Sequence, residues 1–583
     1  MEDKKVIKMG GNEYKSSEYQ ERVFEFIENG VGNLVINASA GSAKTTTLVN
    51  CMRFIPAGKR VLFVSFNKHI AEEINRRISL PNASARTCSS VGFEICRENG
   101  IGLGEVNNEK YPDYVRDNIN TLTNYGETKS LGREFSTYMS NIRQVVDLCR
   151  YTLSFTQKEI SSLMDKYGIS PVRDEVDVVR KILQWGESNT GVIDQTDMVW
   201  LPNVLNLNTK RLLYDFIFID EAQDISIAQQ ALIMKCAKRG VRIVSVGDRN
   251  QQINVWCGSD EAAIDKFRNT PNTIQLSLPI CYRCGKKIID FANNFSSDKM
   301  IPPSWAEEGE ILVGTISEIS LGDMVLSRNT SPLIELQQKL LRMNKKVFIQ
   351  GFKEIKEDYL NLITETHSKN IDINCLTKDG LFPKLYGALI DEIDRMVNVV
   401  GMHEDEALSR ASVLYLYDNI EAIKVIAEGL NTVDELIEKI KTIFNGDKND
   451  AILLSTVHRA KGLEADNVFL YQPSILDYNV LAVKDWEIKT EQNLRYVAYT
   501  RAKKRLIFIP EENDFKHKNP FASSKNFKSE ISRIRELISF SPKLAASISP
   551  QKVEAKKEES GMTVIAKSQK TKQKGGLKFG NLM

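Results

Sequence analysis

The chain has 583 residues, of which 42% are hydrophobic and 26% are charged, as in an ordinary folded protein. Its 78 Lys and Arg nearly balance its 76 Asp and Glu, so the formal net charge is only +2. This composition excludes a mostly disordered chain, a collagen-like fibre, a small disulfide scaffold and a uniformly basic nucleic-acid coat, whereas a locally basic groove for nucleic acid stays compatible with it.

Short runs of β-branched and aromatic residues predict buried strands along the chain. Helix-like segments separate most of these runs, and strands that alternate with helices indicate parallel sheets covered on both faces. The runs form one cluster before residue 276 and another after about residue 311, so we expect two α/β domains. The predicted strands are 33–37, 61–66, 216–220, 242–247, 323–327, 346–351, 451–457, 467–472 and 505–510.

Two long stretches show helix-like patterns without a convincing buried strand, and we expect each to be a mainly helical insertion. The tail from Ser541 holds nine Lys against three Glu and few large apolar residues, so we expect it to be disordered. The tail carries +6, which leaves −4 on the rest of the chain. The expected division is a first domain of residues 1–94 and 206–276, a second domain of 277–352 and 446–540, insertions at 95–205 and 353–445, and the tail 541–583.

The sequence contains no run of the ~20 apolar residues that cross a bilayer and no apolar core of a secretion signal near its start. Its nine cysteines therefore read as free thiols in a reducing cytosol. We expect a cytoplasmic protein without membrane contact, close to the nucleoid, or in the host cytoplasm if a phage encodes it. Cys281 and Cys284 form a CxxC pair, but no second pair lies near enough in the sequence to complete a zinc site.

The segment 36–48, INASAGSAKTTTL, follows a predicted strand and opens a predicted helix, as a phosphate-binding loop does. Lys44 would reach the β- and γ-phosphates of ATP, and the Thr45 hydroxyl would bind Mg²⁺. Alanine occupies two positions where the GxxxxGK[ST] pattern has glycine, and Ala43 suits the loop only at a negative φ. The predicted nucleotide-binding residues here are Ala38, Ser39, Ala40, Gly41, Ser42, Ala43, Lys44, Thr45 and Thr46.

An acidic motif further along the chain supports this site. The segment 215–224, DFIFIDEAQD, is a predicted buried strand that ends in paired carboxylates. Asp220 can hold Mg²⁺, and Glu221 can accept the proton of the water that attacks the γ-phosphate. Together the loop and the paired acids predict an ATP-hydrolysing site.

Read in order, the motifs resemble those of the superfamily 1 DNA helicases of the UvrD, Rep and PcrA group. That resemblance implies two RecA-like P-loop motor domains, each carrying an insertion. The doubled Gln251-Gln252 and the SFNK sequence at 65–68 lean toward the F-box helicase branch, although no F-box is visible. The motifs are 17–23, 36–48, 63–74, 86–93, 215–224, 246–259, 281–293, 455–470 and 491–506, and the last four of these resemble the family's third, fourth, fifth and sixth motifs.

The resemblance also implies roles at the nucleotide. Gln20 would read the adenine, Tyr282 would stack on it, and Glu464 would contact the ribose or the network beside the phosphates. Gln251 would sense the γ-phosphate. The remaining two predicted catalytic residues, Arg283 and Arg501, would reach the transferring phosphoryl group from the second motor domain, as arginine fingers do.

For DNA, the aromatic rings of Phe66 and Trp256 are the stacking candidates, because a ring accepts any base without sequence preference. Polar contacts to the sugar-phosphate track are expected from Asn67, Thr87, Ser89 and His458.

The expected activity is an ATP-dependent helicase or translocase on single-stranded and partly duplex DNA, with 3′→5′ polarity implied by the resemblance. Two alternatives stay open: a translocase that strips proteins from DNA with little unwinding, and a nucleotide-gated DNA-binding scaffold with weak ATPase activity. The basic tail is a candidate for a flexible arm that contacts a protein partner or DNA.

Overall fold

The computed structural model describes most of the chain. The described residues are 6–9, 12–65, 68–122, 132–167, 169, 175–255, 258–259, 263–366, 373, 380–399, 403–443, 451–476, 485–510, 528, 531–532 and 535. The predicted tail, 541–583, lies outside them.

The first half of the chain contains eight strands and eleven helices within these residues. In chain order they are β1 (Val6–Met9), β2 (Asn12–Lys15), α1 (Glu18–Asn29), β3 (Asn33–Ala38), α2 (Lys44–Cys51), β4 (Val61–Ser65), α3 (Lys68–Arg77), β5 (Ala83–Thr87), α4 (Cys88–Glu98), α5 (Lys110–Leu122), α6 (Gly132–Thr152), α7 (Gln157–Tyr167), α8 (Glu175–Ser188), α9 (Asp197–Val204), β6 (Tyr214–Ile219), α10 (Ile227–Lys235), β7 (Ala237–Gly247), α11 (Ala263–Arg268) and β8 (Thr273–Leu278).

The second half adds six strands and eight helices among the described residues. They are α12 (Lys286–Ala292), β9 (Glu310–Val313), β10 (Met324–Ser327), α13 (Ser331–Arg342), β11 (Val347–Ile349), α14 (Phe352–Thr366), α15 (Leu381–Asp394), α16 (Glu404–Ser409), α17 (Ala411–Ala427), α18 (Val433–Ile443), β12 (Ile452–Thr456), β13 (Ala465–Tyr471), α19 (Asp485–Tyr499) and β14 (Ala502–Ile509).

The strands form two six-stranded parallel sheets and a small antiparallel hairpin of β1 and β2. The first sheet has the order β5-β4-β6-β7-β3-β8, and the second has the order β11-β12-β10-β13-β14-β9. This confirms the predicted α/β class with two parallel sheets. All nine predicted strands are present. The sequence analysis missed five strands. Two of them, β1 and β2, form the small hairpin, and the other three, β5, β8 and β9, lie at sheet edges and bury less of their surface than central strands do.

The helices of the two predicted insertions are packed differently. Helices α5 to α9 pack around a hydrophobic cluster that runs from Cys96, at the end of α4, to Leu201 of α9 and includes no strand residue. Helices α14 to α18 instead share one continuous cluster with the second sheet, in which Leu385 packs together with Leu454 of β12. The first insertion is therefore a separate packing unit, and the second is fused to its sheet.

A buried ion network explains the polar character of the first insertion. Asp197 is fully buried and accepts hydrogen bonds from Lys110 Nζ and from the Tyr111 hydroxyl, each at 2.6 Å. The Arg150 guanidinium bonds the carboxylates of Asp194 and Asp197 at 2.7 and 3.1 Å. Because buried charges are stable only when paired, these residues join α5, α6 and α9 in one arrangement.

No helix among the described residues is long and apolar enough to cross a membrane.

Candidate functional site

The phosphate-binding loop lies at the carboxyl end of β3, where parallel strands commonly present ligand sites. Lys44 is the first residue of α2, so the N–H groups of the first helical turn point toward the loop. Ala43 has φ 59° and ψ 38°, so the expectation that alanine suits this position only at a negative φ is wrong. The loop turns into α2 through a left-handed residue, the conformation for which glycine is normally used.

The other loop residues are held by the first sheet and its neighbours. Ser39 N donates to Leu278 O at 3.1 Å, and Arg77 donates to the Thr46 hydroxyl at 3.0 Å. Ser42 Oγ is buried and, among the described residues, has no hydrogen-bond partner. An orphaned hydroxyl in a loop of this kind fits a site that binds phosphate oxygens.

The paired carboxylates follow β6 and meet the loop directly. Lys44 Nζ lies 3.4 Å from Glu221 Oε1, and the Thr45 hydroxyl donates to Asp220 Oδ2 at 2.5 Å. Burial would raise the pKa of Glu221, but the charges of Lys44 and Lys461 lower it to about 2. Burial and the charge of Glu221 raise the pKa of Asp220 to about 6. Glu221 is therefore an ionised acceptor at neutral pH.

A chain of amides connects Glu221 to Gln251. Gln223 Nε2 donates to Glu221 Oε2 at 2.5 Å, while Gln223 Oε1 accepts from the backbone N–H of Asp248 at 3.1 Å. Gln251 Nε2 in turn donates to Asp248 Oδ2 at 2.6 Å. Sequence reasoning did not single out Gln223 or Asp248, although both lie inside motifs that it had recognised.

Both predicted arginine fingers lie on the side of the second sheet. Arg283 Nε donates to Glu464 Oε2 at 2.5 Å, and its NH1 donates to Thr500 O at 3.2 Å. Arg501 is almost fully buried and donates to Val497 O at 2.9 Å. Burial and the nearby charge of Arg283 lower the pKa of Arg501 to about 10, so it stays a cation at neutral pH.

Tyr282 and Gln20 meet at the edge of the loop. The Tyr282 hydroxyl donates to Gln20 Oε1 at 3.3 Å, and Gln20 Nε2 donates to the Thr47 hydroxyl at 3.0 Å. Tyr282 N donates to Gly41 O at 2.9 Å, which ties the fourth motif to the phosphate loop. The outer neighbour of Tyr282 is the exposed Trp305, whose ring centroid lies 6.4 Å away.

Three further residues of the second half cross to the first sheet, and sequence reasoning had missed all three. Lys461 Nζ pairs with the buried Asp224 and donates to Gln251 O at 2.7 Å. The Tyr496 hydroxyl accepts from Ala40 N at 3.0 Å, and Asn493 Nδ2 donates to Gln252 O at 2.8 Å. Their positions in the fifth and sixth motifs were the available signal.

The predicted DNA residues divide into two groups. Phe66, Asn67 and Trp256 lie outside the described residues. Thr87 caps α4 by accepting from Ser90 N at 3.2 Å, and Ser89 lies in the first turn of the same helix.

His458 is partly buried in the loop after β12. Burial and the charges of Arg328 and Lys461 lower the pKa of His458 well below its usual range, so its imidazole is neutral. A neutral imidazole contributes hydrogen bonds rather than charge to any contact with DNA.

Two family models match segments of the chain that contribute residues to this site. Residues 19–272 match the UvrD/REP helicase N-terminal domain, and residues 451–509 match the UvrD-like helicase C-terminal domain. The chain belongs to the UvrD-like superfamily 1 helicases. Its two parallel sheets are accordingly the cores of two RecA-like motor domains.

Curated relatives include proteins named as DNA helicases. The helicase is 22% identical to ATP-dependent DNA helicase PcrA of Bacillus subtilis, over 83% of this chain and 81% of that protein. It is 24% identical to F-box DNA helicase 1 of Gallus gallus, over 85% of this chain, and spans about half, 49%, of that longer protein. It is also 22% identical to Gabija protein GajB of Bacillus cereus, over 84% of this chain and 95% of that protein.

These matches and the geometry agree on the type of enzyme. The helicase is a DNA-dependent ATPase that uses ATP and acts on DNA. The comparisons thus favour the helicase interpretation over the DNA-binding scaffold.

Proposed function

We propose that the helicase moves stepwise along single-stranded DNA in the 3′→5′ direction and separates strands as it advances. The observation that carries this proposal is the division of the site between two sheets. Lys44 and Glu221 belong to elements of the first sheet, whereas Arg283 and Arg501 are held by elements of the second. Hydrolysis then depends on a closed cleft, which links chemistry to relative domain motion. The direction rests on the resemblance to UvrD-type helicases.

Each residue at the cleft has a specific task in this proposal. Lys44 binds the β- and γ-phosphates, and Glu221 takes a proton from the attacking water. Arg283 and Arg501 stabilise the charge that develops on the phosphoryl group, an effect worth roughly 10³-fold or more in rate. Gln251 reports the presence of the γ-phosphate through its bond to Asp248.

Mg²⁺ fits the oxygen atoms that the structure brings together. The Thr45 hydroxyl and the Asp220 carboxylate lie 2.5 Å apart, and both are hard donors of the kind that Mg²⁺ prefers. The Thr45 hydroxyl and the Asp220 carboxylate would hold the metal, which would supply positive charge to neutralise the phosphates.

The nucleoside is proposed to bind beside Tyr282 and Gln20. The ring of Tyr282 offers a stacking face, and the amide of Gln20 offers a donor and an acceptor to adenine. Glu464 now bonds Arg283 and Lys503, the latter at 2.8 Å. We infer that Glu464 exchanges part of this pairing for the ribose when ATP binds.

The DNA track is proposed to run over the first motor domain and on to the loop after β12. The N-terminus of α4, with Thr87 and Ser89, suits a DNA phosphate because its free N–H groups and dipole attract anions. Phe66, Asn67, Trp256 and His458 remain proposed contacts. The domain division given above and a protein-binding role of the tail also remain proposals.

Unwinding of tailed duplexes tests the proposal. With ATP and Mg²⁺, we expect strand displacement on a duplex with a 3′ single-stranded tail and none on one with a 5′ tail. Lys44→Ala and Glu221→Gln should each lower ATP turnover by about 100-fold or more while DNA binding persists. Lys59→Ala is the matched control, because Lys59 is an exposed lysine whose Nζ lies 3.7 Å from the Asp215 carboxylate and which has no proposed role at the nucleotide.

Unwinding from the 5′ tail alone would contradict the proposed polarity. ATP turnover at the wild-type rate in Glu221→Gln would contradict the assignment of the catalytic base. Filament disruption without strand displacement would favour the protein-stripping translocase.

A further inference from the structure

The third motif rests on the first helical insertion. The Tyr167 hydroxyl, at the end of α7, donates to Val255 O at 3.0 Å. Gly258 N donates to the same carbonyl at 3.1 Å. Gly258 itself has φ 88°, and a Cβ at this position would lie 3.1 Å from Tyr151 Cβ of α6. Val255 is thus bonded to α7, and Gly258 lies close against α6.

The same tyrosine contacts the second motor domain. Trp486 lies in the first turn of α19, and its ring centroid is 5.8 Å from that of Tyr167. Trp486 Nε1 also donates to Lys166 O at 3.2 Å. Tyr167 therefore lies between the third motif on one side and α19 on the other.

Helix α19 reaches the nucleotide site by its other end. Tyr496 lies ten residues after Trp486, about 15 Å along the helix at the usual rise, and its hydroxyl bonds the phosphate loop at Ala40 N. Arg501 lies two residues after the end of the helix. A change of cleft geometry that moves Tyr496 must move Trp486 as well, because a helix of this length behaves as a rigid element.

We propose that Tyr167 and Trp486 are positioning residues that link the grip on single-stranded DNA to the nucleotide state of the cleft. The carbonyl that Tyr167 holds belongs to the residue directly before Trp256, the proposed stacking residue. The inference rests on the proposed function, since it requires that the third motif contacts DNA. Neither residue belongs to the proposed ATP-binding or catalytic residues.

Two conservative variants test the link. Tyr167→Phe removes the hydroxyl that bonds Val255 and keeps the ring, whereas Trp486→Phe removes the N–H that bonds Lys166 and keeps an aromatic side chain. Tyr415→Phe is the matched control, because it removes a tyrosine hydroxyl that bonds Asp358 at 2.5 Å in the second insertion.

Two quantities are measured on the full chain. The first is the single-stranded DNA concentration that half-maximally stimulates ATP turnover, with the basal turnover recorded beside it. The second is the ratio of DNA dissociation constants without and with a β,γ-imido ATP analogue. Loss of one hydrogen bond predicts a rise of roughly two- to tenfold in the half-maximal concentration for Tyr167→Phe, with basal turnover and thermal midpoint unchanged.

For Trp486→Phe, we expect the DNA dissociation constant without nucleotide to stay within twofold of the wild-type value. The ratio of dissociation constants without and with the analogue should approach one. Tyr415→Phe should match the wild-type protein in both quantities. Wild-type values in both Tyr167→Phe and Trp486→Phe would overturn the inference and leave the helicase proposal standing. If single-stranded DNA does not stimulate ATP turnover in the wild-type protein, both the inference and the helicase proposal are overturned.

Discussion

Replacement of Ala43 by glycine tests the backbone of the phosphate loop. Ala43 has φ 59° and ψ 38°, and this left-handed conformation costs a residue with a Cβ about 1–2 kcal/mol. Glycine escapes that cost but loses roughly 0.5–1 kcal/mol more conformational entropy on folding. The difference predicts that Ala43→Gly raises the free energy of unfolding by about 0.5–1 kcal/mol.

Urea unfolding followed by circular dichroism measures this change. Asn344→Gly is the matched control, because Asn344 has φ 57° in an exposed turn and asparagine tolerates that conformation. The opposite type of substitution at a nearby position, Gly41→Ala, should lower the free energy of unfolding by about 2 kcal/mol or more. Gly41 has φ 68°, and its new Cβ would lie 2.7 Å from Arg283 Cβ and 2.9 Å from Cys281 Sγ.

A lower free energy of unfolding in Ala43→Gly than in the wild-type protein would refute this reasoning. It would mean that residue 43 does not have a positive φ in the folded loop. An equal gain in Asn344→Gly would show instead that the effect is general to left-handed positions and carries no information about the loop.

Three other perturbations have defined outcomes. Lys461→Met should lower the free energy of unfolding by about 2–3 kcal/mol, because Asp224 stays buried without its cation, and adding Asp224→Asn should restore much of the loss. Gly92→Ala should cost about 3 kcal/mol, since its Cβ would lie 1.8 Å from Met198 O, whereas Gly191→Ala, which has open space, should be near neutral. Chelation of Mg²⁺ should abolish ATP turnover, measured as phosphate release, and added Mg²⁺ should restore it.

Local chemistry explains which parts of the nucleotide site were predictable. Lys44, Asp220 and Glu221 lie where buried strands end, so the run of apolar residues before them marked both strand and site. Parallel strands place their carboxyl ends at one edge, which brings the loop and the acids together without further information.

The contacts between the two motor domains could not be predicted from the local sequence pattern. Lys461, Asn493 and Tyr496 lie on the side of the second sheet but form hydrogen bonds with residues on the side of the first. Their partners are hundreds of residues away in the chain. Edge strand β5 was missed for a related reason, since its sequence ASART is polar and gains its partner only from β4. The backbone angle of Ala43 depends on the whole loop and could not be read from one residue.

The separate core of the first insertion has a consequence for the order of folding. Val61 of β4 pairs with Phe216 of β6, so two central strands must meet across the entire insertion. Pairings this distant in sequence form slowly. The insertion encloses its own core, and its ends approach each other where Gly92 packs on Met198. We expect it to fold first and shorten the effective loop between β4 and β6.

In this order of folding, Asp220 and Glu221, which follow β6, reach the phosphate loop late. Pulsed hydrogen exchange would show amide protection in α5 to α9 before protection in β6. The catalytic centre would then be among the last parts of the first motor domain to assemble.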